Sequence, residues 1–82
     1  MLLIVFFTVC SKDRKRIFAR ADAIKVIVNA WREAKSWLVG RYVIMPDHIH
    51  LFCAPGVFPR EAIAPWVRFW KNLASRKWPR PE

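Results

Sequence analysis

The stretch RYVIMPDHIHLF, residues 41–52, holds the only two histidines of the chain, His48 and His50, with a single isoleucine between them. Pro46-Asp47 is a turn signal set between two apolar runs, so the segment predicts a tight antiparallel hairpin. Its first strand covers Trp37 to Met45 and its second covers His48 to Ala54. Residues i and i+2 of a strand share a face, which puts the two imidazoles side by side about 6.5–7 Å apart. Ile49, Leu51 and Cys53 then take the opposite face. Two imidazoles so placed can converge on one cation about 2.0–2.1 Å from each nitrogen, and they are equally compatible with hydrogen-bonded or surface histidines. Parity removes Cys53 from such a site and makes it a small core residue. Asp47, the nearest acid, reads as a residue that fixes the turn. A catalytic metal site also needs a third ligand and an open position, which this segment does not offer.

Outward from the hairpin, Leu2 to Cys10 is β-branched, aromatic and apolar on both parities, as in a strand covered on both faces. SKDRKRIFAR, residues 11–20, is a polar, basic loop. Ile24, Ile27, Val28, Trp31 and Ala34 follow helical spacing, which predicts an amphipathic helix over Ala21 to Lys35 with a core-facing stripe. APGVFP breaks the chain after the hairpin. A second helix should begin near Pro65, carry Trp66, Val67, Trp70, Leu73 and Ala74 on one side, and stop before WPRPE. The order β-α-β-β-α in one domain, residues 1–82, predicts an α+β fold: a split βαβ with the third strand between the first and second. That is most of a ferredoxin-like sandwich. No segment supplies a fourth strand, so the first strand is expected to keep an open edge.

Composition narrows the partners. Fifteen Lys and Arg against six Asp and Glu give +9 at pH 7, and 55% of residues are hydrophobic. The chain should therefore fold and should attract polyanions, nucleic acid first. Lys12, Arg14, Lys15 and Arg16 form one basic cluster; Arg68, Lys71, Arg76, Lys77 and Arg80 form another. Arg68, Lys71 and Ser75 share a helix face, which is also what an ordinary solvated face looks like. Phe69 and Trp78 lie off the apolar stripe and are candidates for stacking on unpaired bases. Two unspaced cysteines suit a reduced, cytoplasmic setting, and about nine apolar residues at the start are too few to span a bilayer.

Residues 41–52 closely resemble the signature of the HUH single-tyrosine transposases, of both the insertion-sequence type and the REP-associated type. FFTVCSKDRKRIFAR is similar to their first strand and basic loop, and WVRFWKNLASRKW to their second helix with its lysine. The resemblance covers essentially all 82 residues. It implies a ferredoxin-like, nucleoid-associated domain that acts on single-stranded DNA, usually beside a hairpin. In that scheme His48 and His50 hold Mg2+ or Mn2+ against the scissile phosphate, while a tyrosine on a later helix attacks and becomes a 5′-phosphotyrosine. Arg14, Lys15, Arg16, Arg68, Lys71 and Arg76 would contact DNA, Lys71 foremost. Relatives of the two types act as homodimers or as monomers.

The chain departs from the pattern at the nucleophile. Its single tyrosine, Tyr42, precedes His48 by six residues and reads as a structural hairpin residue. The family's fourth strand, nucleophile helix and further metal ligand have no counterpart, so these 82 residues are expected to form an inactive part of such an enzyme. Two alternatives stand beside this one. One is a non-catalytic basic module that binds nucleic acid and carries vestigial histidines. The other is an interaction domain completed by a partner at the edge of the first strand.

Overall fold

The computed structural model describes residues 3–79. Its elements are β1 (Val5–Cys10), α1 (Ala21–Glu33), β2 (Trp37–Ile44), β3 (His48–Pro55) and α2 (Ile63–Arg76), with a short 3-10 turn at Lys12–Arg14 after β1. The sheet order is β1-β3-β2, and β3 is antiparallel to both neighbours. The fold is thus α+β, a partial ferredoxin-like arrangement with the split βαβ order expected from the element sequence.

Both helices lie on one face of the sheet, and alternation in β3 decides what they meet. Ile49, Leu51 and Cys53 are fully enclosed beneath them, together with Ile27, Ala30 and Trp31 of α1 and Trp66, Trp70 and Ala74 of α2. The three helix indoles pack edge to face, Trp31 on Trp70 at 5.7 Å and Trp70 on Trp66 at 6.1 Å, a geometry that suits the aromatic quadrupole. Trp66 donates its Nε1–H to the Ala34 carbonyl at 2.7 Å and Trp37 to that of Glu61 at 3.0 Å. These bonds tie the helix layer to the connections. At Gly56 a Cβ would collide with the Lys35 carbonyl oxygen, so only glycine lets the chain turn back beneath α1.

Several expectations are corrected. α1 ends at Glu33, and Ala34 leaves the helical region to bury its methyl group, so Lys35 lies beyond the helix. α2 begins at Ile63, two residues ahead of Pro65; proline is tolerated there because first-turn amides have no partner within the helix. Trp78 is no free stacking residue, for its ring rests edge-on against Phe18 at 6.0 Å and is half-buried. Phe69, by contrast, is exposed.

The most consequential correction concerns β1. Val5, Phe7 and Val9 turn toward the helices, but Phe6, Thr8 and Cys10 face outward and stay exposed. Apolar side chains on both parities therefore do not mean two covered faces here, because the described residues supply a layer on one side only. The two cysteines divide between these sides. Burial pushes the Cys53 thiol up and encloses its Sγ, whereas Cys10 is exposed. Because the thiolate is the attacking species, the native chain should take up one equivalent of an alkylating reagent, at Cys10, and a second only in denaturant. Mass spectrometry of labelled peptides checks this.

Candidate metal centre and nucleic-acid interface

His48 and His50 stand on the outward face of β3, as alternation requires, with ring centroids 4.7 Å apart and planes inclined at 75°. Each ring is held by its Nδ1. His48 Nδ1 lies 2.7 Å from Asp47 Oδ1, and the other Asp47 oxygen accepts from Arg14 Nε at 3.0 Å. Hydrogen bonds from His48 and then Arg14 hold the Asp47 carboxyl below the usual carboxylate range. At neutral pH it is therefore ionised and only accepts, which orients His48 Nδ1–H toward it; the neutral ring in that tautomer turns an Nε2 lone pair outward. Across the ladder, Thr8 is the register partner of His50, and its Oγ1 lies 2.9 Å from His50 Nδ1. A hydroxyl that accepts there leaves the second Nε2 free as well. Phe6 backs the His50 ring at 5.7 Å and 17°.

The donor set is thus a pair of oriented imidazoles. Among the described residues no group of three or more His, Cys, Asp or Glu side chains is placed to hold one ion. Water or phosphate oxygens would have to complete the coordination, which is usual for Mg2+ and Mn2+ at phosphoryl sites. The residues present fit such an ion as two of its ligands.

Asp47 has a larger part than a turn residue. Its backbone carbonyl accepts from Ser11 N–H at 3.0 Å, and that of Pro46 accepts from Phe18 N–H at 2.9 Å. The basic loop is strapped over the hairpin turn by these bonds, with Asp13 and Arg14 at positive φ (58° and 55°). Arg14 is thereby brought beside His48. Strict parity hid this role, because alternation does not govern a side chain in the turn itself. An acid placed immediately before a candidate ligand was the available signal.

The proposed DNA contacts separate into two groups. Arg14, Lys15 and Arg16 sit exposed on the strapped loop. Lys71 lines a cleft of about 490 Å3 between α2 and the end of β1, with Lys12, Cys10 and Ser75 also on its walls. Arg68 and Arg76 are exposed on α2, on the helix side of the sheet and away from the imidazoles. Tyr42 also belongs to the helix side: it opposes Leu51 in the ladder, and its ring meets Trp31 edge-on at 5.1 Å. Phe6, Phe52 and Arg41, which share the imidazole face, escaped the sequence reading. Continuing the parity of His48 and His50 two residues along β3 reaches Phe52.

No protein-family model matches the chain, and no curated protein does. Among solved structures, a crystal structure described as a "putative transposase" from Deinococcus radiodurans R1 superposes with a TM-score of 0.74 over 95% of this chain. Sequence identity is 21%, so the likeness is one of fold. This chain spans 60% of the length of that protein.

Proposed function

We propose that the chain is a transposase-type domain of the HUH class, in which His48 and His50 present Mn2+ or Mg2+ to a phosphodiester of single-stranded DNA. One observation carries the reading: both imidazoles leave the same face of β3 with their Nδ1 atoms engaged by Asp47 and Thr8, which leaves both Nε2 atoms as the positions an ion would take. A bound ion would polarise the phosphoryl oxygen. Imidazole nitrogen is a softer donor than the oxygens that ordinarily hold Mg2+, which makes Mn2+ the better match. Arg14 and the rest of the strapped loop place positive charge beside the site, and Lys71 extends it around the end of β1. The fold shared with the Deinococcus protein supports a transposase-type domain.

With Tyr42 on the far side of the sheet, these residues hold and orient DNA, and the attacking hydroxyl comes from elsewhere. The domain acts in the cytoplasm, at the nucleoid. Mn2+ titration followed by electron paramagnetic resonance tests the metal role. Saturable binding should appear in the wild type and vanish in His48→Ala; equal affinity in both would overturn it. The non-catalytic basic module is the competing reading, favoured by the two-member donor set among the described residues. It predicts DNA binding with no Mn2+ affinity in either protein.

A further inference from the structure

The outward face of the sheet carries aromatic rings that metal binding does not use. Phe6 of β1 and Phe52 of β3 are register partners with ring centroids 4.8 Å apart, and they are 53% and 44% exposed. Phe6 continues the row onto His50. Ile4, Leu38 and Val43 are exposed as well, so these apolar side chains form a surface with no covering layer among the described residues. A patch of this kind on a small domain calls for an occupant.

Beside it, β2 bulges. Val39 pairs with Cys53 and Tyr42 with Leu51, so Gly40 and Arg41 together oppose Phe52. The bulge sets Arg41 between two depressions that flank the Phe52 ring. One, of about 450 Å3, is shared with Val43 and His50; the other, of about 500 Å3, is shared with Ile4 and Leu38.

We propose that Phe6 and Phe52 form a stacking platform for successive unpaired bases of single-stranded DNA, with Arg41 meeting the intervening phosphate and the strand leading onto the imidazole pair. The choice of ligand rests on the function proposed above; the platform itself needs no metal. Charge complementarity selects a polyanion over a second copy of this chain. Two copies packed face to face would bring together chains of net charge +9. They would also bury Thr8, His48 and His50 against apolar groups, stranding ring nitrogens without partners.

The test is fluorescence anisotropy, in EDTA, with a labelled oligothymidine and an abasic phosphodiester strand of the same length. The wild type should bind the thymidine strand at least about tenfold more tightly, since base–aromatic stacking contributes about 5- to 150-fold per base. Phe6→Leu and Phe52→Leu should each remove about fivefold or more of that preference and leave abasic binding unchanged. Arg41→Gln should weaken both strands alike and lower the salt slope by about one. Equal wild-type affinity for the two strands would overturn the proposal, and that comparison stands even if a leucine variant fails to fold. So would a sedimenting dimer that Phe52→Leu disperses, because a second copy would then cover the face. Every arm is read in EDTA, so absence of Mn2+ affinity and absence of the thymidine preference are separate results, and failure of the metal reading is told apart from failure of the platform.

Discussion

Leu51→Ala is expected to cost about 2–5 kcal/mol of stability, the range for a buried leucine cut back to alanine. Leu51 has no exposed surface and lies in the central strand, with β1 and β2 hydrogen-bonded on either side, so little backbone movement can refill the space. At about 0.05–0.15 kcal/mol per residue, a domain this small has roughly 4–12 kcal/mol in total. The substitution should therefore take a large fraction of its stability. Phe52→Ala, one residue further, removes a bulkier side chain from the outward face and should cost much less. Urea unfolding followed by tryptophan fluorescence measures both midpoints. A reversed order would mean that the strand's two faces had been assigned backwards.

The next largest effect is expected at the imidazole pair. Asp47→Ala should weaken Mn2+ binding about 10- to 100-fold, as loss of a partner behind a ligating histidine commonly does. His48→Ala and His50→Ala, each removing one of two donors, should weaken it further. Asp47→Asn tests how the carboxylate acts, for the amide oxygen still accepts from His48 Nδ1 while the charge that draws Arg14 is gone. Titrating Mn2+ into all four proteins checks the ranking. Acid should not disturb the Asp47 carboxylate near neutrality. A carboxyl lowered from its ordinary 3.8 contributes stability above that value and loses it only as pH falls through the lowered one.

Much of this architecture was legible because period-two alternation in residues 48–54 is strict. It places the histidines on one face and Ile49, Leu51 and Cys53 on the other, and Pro46-Asp47 closes the hairpin where expected. The helix stripes were legible for the same kind of reason. What escaped depends on contacts between segments far apart in sequence. Asp47 joins His48 to Arg14, 33 residues away, and nothing in the local spacing encodes that. Thr8 reaches His50 only through the β1–β3 register. The outward face of β1 differs from expectation because hydrophobicity reports what a side chain prefers, whereas among the described residues no layer covers that face. Trp78 was misjudged for the converse reason, since Phe18 comes to meet it from the basic loop.

The strand that carries the candidate ligands is also the innermost strand of the sheet and the wall of the core. Fraying at an edge leaves it untouched, so its amides should be the slowest to exchange, and the ligand pair survives for as long as the whole domain does. Occupancy and folding are then linked by mass action: an ion held only by the native state raises the melting temperature with its concentration. Heat should release it in the same transition that melts the protein, with no earlier loosening of the site.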